Sequence, residues 1–347
     1  MPPEERLRLR TIVSKGLFPA ILLVSAAVRW FQLGAQSLWF DETYTAYVAG
    51  QPTSRMMDFL ISDGVHPPLY YWLMSVWIRI FGAGEWILRF PSAFCGVLSV
   101  FCLFFLVRKI AGRSEALLAA FLMAISPFAV WYSQDARMYS MVCLAAVAAV
   151  HFFWSFLDKA SIGNVGGLIL SHAALFFLQY FGLFLLLAEF CFLVLFWRKH
   201  GGRSIVFILA QIPAVLPLIL WGQVLLQREN GSFGIGWIPK PNGLDLLSTV
   251  SNFYFANGGI WDVRSVAGVC VVILLSGLAI RRRDARETVW FGIFWFFLPI
   301  LTCWAVSQTL PVYIDRYMIV ILPASILMIS LGANSLHGKV KYVLPGL

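Results

Sequence analysis

The sequence predicts an all-α polytopic membrane protein of about ten transmembrane helices, with extracytoplasmic juxtamembrane helices beside them. Three observations lead there. Of the 347 residues, 60% are hydrophobic and 12% charged, more apolar surface than a soluble core of this size covers, so lipid is the solvent for most of the chain. The apolar residues fall in continuous runs, where a β-barrel would alternate polar and apolar. At ~20 residues per span with short loops, this length holds about ten helices. The net charge of +9 comes from short basic clusters between apolar runs, which is the positive-inside pattern and gives no reason to expect a nucleic-acid partner.

In chain order, the N-terminal MPPEERLRLRTIVSKG is basic and leads into an apolar stretch without a convincing cleavage site. It reads as an uncleaved signal-anchor with the N-terminus in the cytoplasm. Span 1 covers 17–33, with Arg29 near its outer end, expected to snorkel to the interface. A large external loop follows at 34–89. Within it, PPLYYWLMSVWIRIFG (67–82) is short for a span and carries Arg79. If it crossed, the basic RKIAGR (108–113) would lie outside, so 67–82 is expected to be an amphipathic or re-entrant juxtamembrane helix. Span 2 is then 90–107 and span 3 is 115–131. An external turn, YSQDARMYS (132–140), leads to span 4, which ends near Leu157. The run 164–197 holds two spans joined by an outer QYFG turn, and span 7 (204–222) contains Pro213 and Pro217, which kink a helix where neighbours satisfy the freed carbonyls. A second long external segment occupies 223–264, and long loops in compact proteins tend to be functional. Span 8 ends in RRRDAR (281–286), span 9 leads to the external TLPVYIDRY, and span 10 covers 318–331 before a cytoplasmic tail. The chain is expected to form one integral-membrane domain over 1–347.

This topology puts 17 of the 26 Lys and Arg on the cytoplasmic side and ten of the 17 acidic residues outside, the asymmetry that the parity choice requires. It also gathers Asp41, Asp135 and Arg316 on one face. The six cysteines lie in or beside apolar runs without CxxC spacing and read as packing residues, with no disulfide or zinc site. Glu189, His151 and His172 fall within apolar runs and are expected to hydrogen-bond between helices.

The external motifs carry the chemistry. WFDETYTAY with VHPPLYYW, YSQDARMYS and YIDRY occur in an order that resembles the GT-C integral-membrane glycosyltransferases. The likeness is to the family 39-like branch of protein O-mannosyltransferases and the aminoarabinose transferases acting on lipid A. An LQYFGLF turn stands where relatives often have THYFG. The resemblance implies a GT-C fold, a polyprenyl-phosphate sugar donor and catalysis on the extracytoplasmic face. It implies that Asp41 is the catalytic base, with Glu42 beside it. A carboxylate within reach of an acceptor hydroxyl accepts its proton, and the leaving phosphate needs positive charge. Arg137 and Arg316 are the candidate phosphate donors, since the guanidinium fork matches phosphate oxygens. His66, Asp135 and Tyr139 complete the candidate donor site, and Tyr44, Tyr70, Tyr71 and Trp72 are candidates to hold a sugar ring or prenyl chain, or else belong to the interfacial aromatic belt. Some GT-C enzymes use a divalent metal and others do not; the candidate ligands here are Glu42, His66 and Asp135. Val65 and His66 stand where the aminoarabinose branch usually has Glu and Lys, which argues against that substrate class. Family members are often longer, with further C-terminal spans or a soluble external domain, so the chain is expected to be either a short member or a truncated one.

The expected partners are the lipid-phosphate sugar donor, a glycan, lipid or protein acceptor, and membrane lipids, at the cell membrane. The competing reading is a transporter or flippase of lipid-linked sugars. Transporters place ionisable residues near the bilayer midplane and often show internal repeats. This chain places them in external loops and shows no repeat of WFDE or DARMY.

Overall fold

The computed structural model of the chain describes residues 3–227, 236–255 and 263–336. Parts of the segment expected to be the second external one (228–235 and 256–262) and the tail from 337 lie outside the described residues. Among the described residues all regular structure is helical. Five helices have the length and hydropathy of a full membrane crossing: α5 (Glu85–Ile110), α8 (Tyr139–Asp158), α11 (Trp197–Leu226), α14 (Arg286–Val306) and the segment Asp315–Ser335. A bent pair, α6 (Arg113–Ile125) with α7 (Pro127–Ser133), makes a sixth. The expected spans 1, 5, 6 and 8 appear as α1 (Pro3–Trp30), α9 (Ile162–Leu178), α10 (Leu183–Leu195) and α13 (Val263–Ala279). Their apolar stretches are shorter than a full crossing. The chain is a multi-pass membrane protein.

The loop between α1 and α5 folds into three short helices, α2 (Phe40–Ala49), α3 (Thr53–Asp63) and α4 (Leu69–Phe81). Gly64 closes α3 at φ +65°, the left-handed cap that glycine adopts without steric cost. At 13 residues, α4 is ~20 Å long and cannot cross a ~30 Å hydrocarbon core. It buries Tyr70, Tyr71 and Met74, and the Trp77 indole near its far end donates to the Ile87 carbonyl at 2.8 Å. Both ends of α4 thus stay on the side where α5 begins. In the segment after α11, α12 (Gly243–Tyr254) is capped by Asn242.

Three local expectations change. Span 3 is not straight: α6 and α7 meet at 57°. Pro127 has no N–H to continue the helix, and Ser126 before it is extended (φ −56°, ψ 119°), as pre-proline residues prefer. Nor does Arg29 snorkel; it is fully buried at this break. Its guanidinium donates to the freed carbonyls of Met123 (3.0 Å) and Ala124 (2.9 Å) and to the hydroxyls of Ser25 (2.9 Å) and Ser133 (3.1 Å). Gly96 leaves it room: a Cβ there would lie 2.8 Å from Arg29 Nε and collide with Ser133. Finally, span 10 begins as a 3₁₀ turn (Asp315–Ile321) and becomes α-helical only from Leu322, as α15 (Leu322–Ser335).

The basic loops converge at one end of the bundle. There Lys109 pairs with Asp158 at 3.0 Å, Lys199 with Glu287 at 2.6 Å, and Arg282 with Glu115 at 3.0 Å and Asp284 at 2.6 Å. The turns carrying Asp41, Asp135 and Arg316 meet at the other end. Midway, His172 Nε2 of α9 meets Glu189 Oε2 of α10 at 2.8 Å, the expected bond between helices; His151 shares no bond with that pair. All six cysteines are free thiols.

Candidate active site

The centre is built on the first turn of α2. Trp39 is its N-cap residue, and its backbone N–H donates to Glu42 Oε2 at 3.3 Å. Asp41 and Glu42 therefore sit where the positive end of the helix favours carboxylates. Adjacent helical residues project ~100° apart, so the two acids serve different partners. Glu42 is 1% exposed and turns inward, accepting from Arg89 Nε at 2.7 Å and Nη2 at 2.6 Å, and from the Ala136 N–H at 2.9 Å. Arg89, in the second turn of α5, gives its remaining N–H groups to the carbonyls of Leu33, Gln36 and Ser37. This buried fork ties α2 to α5 and to the 135–137 turn.

Asp41 turns toward Arg316. Its Oδ2 accepts from Arg316 Nη1 at 3.2 Å, with about a fifth of the carboxylate side chain exposed. Arg316 does not pair through its side chain with neighbouring Asp315. That carboxylate accepts the Arg316 backbone N–H at 2.7 Å and the Asn252 amide at 2.8 Å, which fixes the turn. The guanidinium lies 5.8–5.9 Å from the ring centroids of Tyr139, Trp237 and Tyr317, a cation–π setting. Its Nε is buried without a partner among the described residues.

Arg137 is 3% exposed. It donates from Nη1 to Tyr71 Oη at 3.2 Å, to Thr45 Oγ1 at 3.3 Å and to the Asp41 carbonyl at 3.4 Å, and from Nη2 to His66 Nε2 at 2.8 Å. Every acceptor is neutral, no ion pair forms among the described residues, and Nε is left over. His66 must accept from Arg137 while its Nδ1 donates to Asp63 at 2.8 Å, which fixes a neutral tautomer. Burial, reinforced by the Arg137 charge, pushes its pKa down.

Asp135 is 4% exposed. Its Oδ1 accepts from Trp39 Nε1 at 3.0 Å, and its Oδ2 is buried without a partner among the described residues. Burial pushes its pKa up to about 7, against the lowering pull of the Trp39 bond and Arg137.

Asp41, Glu42, His66, Asp135, Arg137, Tyr139 and Arg316 therefore form one connected group. As a metal site, Glu42, His66 and Asp135 do not combine: among the described residues no three His, Cys, Asp or Glu side chains are placed to share an ion. Both His66 nitrogens and both Glu42 oxygens are already bonded. Of the aromatic candidates, Tyr70, Tyr71 and Tyr139 are buried and Tyr44 packs edge-on against Tyr71, while Trp72 is exposed. Sequence reading missed Arg89, Thr45 and Tyr317. An arginine in the second turn of a helix otherwise charged only at its ends, by Glu85, Arg108 and Lys109, was the available signal for Arg89. An apolar cavity of about 290 Å³ adjoins the group, with His66, Met138, Phe181, Phe184 and Tyr317 in its wall.

The backbone matches that of ArnT from Cupriavidus metallidurans bound to undecaprenyl phosphate, with a TM-score of 0.63 over 96% of this chain and 61% of that one, at 14% identity. The fold is of the GT-C type. A second GT-C neighbour is the archaeal oligosaccharyltransferase AglB from Archaeoglobus fulgidus, in complex with an inhibitory peptide and a dolichol-phosphate. It has a TM-score of 0.57 over 95% of this chain and 51% of that one, at 13% identity. Residues 65–221 match the profile of the dolichyl-phosphate-mannose-protein mannosyltransferase family. That stretch includes His66, Asp135, Arg137 and Tyr139 and leaves out Asp41, Glu42 and Arg316. Two Bacillus subtilis (strain 168) proteins with provisional mannosyltransferase assignments are similar in sequence. YycA is 29% identical over 140 residues, 37% of this chain, and YkcB is 26% identical over 155 residues, 41% of this chain. The matched stretch spans about a fifth of either relative, 20% and 21%.

Proposed function

We propose that this GT-C protein is a glycosyltransferase that moves a sugar from a polyprenyl-phosphate donor to a hydroxyl acceptor on the extracytoplasmic side of the cell membrane, with Asp41 as the general base. One observation carries the reading. A partly exposed carboxylate and two guanidinium groups with unfilled donors meet beside an apolar cavity. A buried cation left short of an anion is costly, and a lipid phosphate supplies that anion while its chain takes the apolar space. The ligands named with ArnT and AglB, undecaprenyl phosphate and dolichol-phosphate, support the same donor class.

In the proposed step the acceptor hydroxyl gives its proton to Asp41 as its oxygen bonds to the anomeric carbon. The bond from that carbon to the phosphate oxygen breaks, and the electron pair leaves on the phosphate. Arg137 and Arg316 meet the growing charge, and one displacement inverts the anomeric centre. Arg316 is shared: at rest it pairs with Asp41, and an incoming phosphate competes for it, freeing the base. Glu42, whose oxygens are filled, is a positioning residue that holds α2 through Arg89.

The test is transfer of radiolabelled sugar from a panel of polyprenyl-phosphate donors in membranes carrying wild type or Asp41→Asn. General-base loss lowers the rate on the order of 100-fold or more, at equal protein abundance. Equal transfer by the variant rejects Asp41 as base. No transfer by wild type from any donor favours a transporter of lipid-linked sugars or an enzyme that needs further chain for activity.

A further inference from the structure

A second cavity, of 370 Å³, lies against α2 on the side away from the Asp41 carboxylate, within the loop after α1 and the end of α7. Its wall includes Gln32, Gln36, Trp39, Trp131, Gln134 and Asp135. Asp41 is not in its lining, whereas Trp39 and Glu42, three residues apart and so on one helix face, both are. The size falls within the roughly 300–1,000 Å³ of small-molecule sites.

The chemistry of the wall restricts what fits. Arg89 also lines the cavity, yet all five of its N–H groups are committed to Glu42 and the carbonyls of Leu33, Gln36 and Ser37. It has nothing left for an anion. The Gln134 amide nitrogen is likewise spent on the carbonyls of Val28, Arg29 and Phe31. On the inner wall the unfilled group is Asp135 Oδ2, buried and without a partner among the described residues, and an unmade bond to a buried carboxyl oxygen costs ~1–3 kcal/mol. Around it stand two indole rings, Trp39 at 45% and Trp131 at 65% exposure, with the exposed amides of Gln32 and Gln36 at the mouth. Gln32 holds a left-handed backbone, φ +52°, uncommon for a residue with a Cβ. A wall with no free guanidinium donor for phosphate, one unfilled carboxyl group and flat rings suits a neutral ring bearing several hydroxyls.

We infer that this cavity is a carbohydrate subsite adjoining the Asp41 centre and sharing Asp135 with it, holding a neutral sugar ring with a hydroxyl on the Asp135 carboxyl and the Trp39 and Trp131 rings against its faces. The occupant is a free sugar or the sugar headgroup of a membrane glycolipid. Its consequence reaches the reaction centre, because Trp39 both bonds Asp135 and begins α2.

The test uses the full chain in nanodiscs free of glycoside detergent, with indole-labelled tryptophan followed by NMR. Neutral methyl glycosides are titrated against wild type, Asp135→Asn, Gln36→Trp and Asp41→Asn. The expected result is saturable movement of the Trp39 indole resonance with a Kd of about 1–10 mM. Gln36→Trp, which fills the mouth from an exposed loop position, and Asp135→Asn each weaken binding at least tenfold, whereas Asp41→Asn leaves it unchanged. A glycolipid in the nanodisc that binds more tightly than the methyl glycoside identifies a headgroup site, and equal affinity identifies a free-sugar site. No saturation by either form overturns the inference, as does binding that survives Gln36→Trp or disappears in Asp41→Asn. Because the readout is binding, failure here leaves the transferase reading standing, and failure of transfer leaves this one.

Discussion

The two ends of the bundle use charge in opposite ways. At the basic end, Lys109, Lys199 and Arg282 each meet a carboxylate, mostly with solvent beside them. At the carboxylate end, Arg137 and Arg316 are largely buried and, among the described residues, keep unfilled donors, while Asp135 keeps an unfilled carboxyl oxygen. Arg29 lies between these cases: it is as buried as Arg137 and has no carboxylate, but backbone carbonyls and hydroxyls absorb its donors. Burial of a cation therefore does not mark function by itself. What distinguishes the candidate site is burial together with incomplete pairing, the condition a ligand relieves.

That contrast can be broken by mutation. The largest stability effect is expected for Glu42→Gln, which leaves Arg89 buried without its counter-charge. Loss of one partner from a buried pair costs about 3–5 kcal/mol, and thermal unfolding in nanodiscs should fall accordingly. Arg137→Gln should act in the other direction. Its folded stability stays level or rises, since an under-paired buried cation is removed, while lipid-phosphate affinity falls about 10- to 100-fold, the worth of a hydrogen bond to a charged group at ~1.5–3 kcal/mol.

Asp135 gives a pH signature. Its folded pKa of about 7 lies above the ordinary aspartate value of 3.8, so the folded chain holds the extra proton between those values. Stability therefore falls as pH rises from about 4 to about 7 and levels off above. Asp135→Asn should flatten that slope, which pH-dependent unfolding checks. Smallest is Lys109→Ala at the basic end. An exposed pair is worth roughly 0–1 kcal/mol, so transfer and unfolding should both stay near wild type.

Most of this contrast was legible in the residues. The all-helical architecture followed from continuous apolar runs, and the gathering of Asp41, Asp135 and Arg316 followed from topology plus the order of motifs. The break between α6 and α7 was written in Ser126-Pro127, but a run that stays apolar through a proline hides whether the helix kinks or stops. Arg29 was misread because snorkelling depends on where carbonyls are freed, and Met123 and Ala124 lie some 95 residues away in the chain. The separate duties of Asp41 and Glu42 could not be read from two adjacent letters. They follow from a helix start that turns one acid to Arg316 and the other to Arg89.

The central claim is that the under-paired guanidinium groups receive a lipid phosphate. It is tested most directly by binding of undecaprenyl phosphate, without sugar, to the full chain in nanodiscs, comparing wild type, Asp41→Asn and Arg137→Gln. Saturable binding by wild type is predicted, with Asp41→Asn equal or tighter because Arg316 is released, and Arg137→Gln weaker by at least tenfold. Equal binding by wild type and Arg137→Gln, or loss of binding in Asp41→Asn, would contradict it.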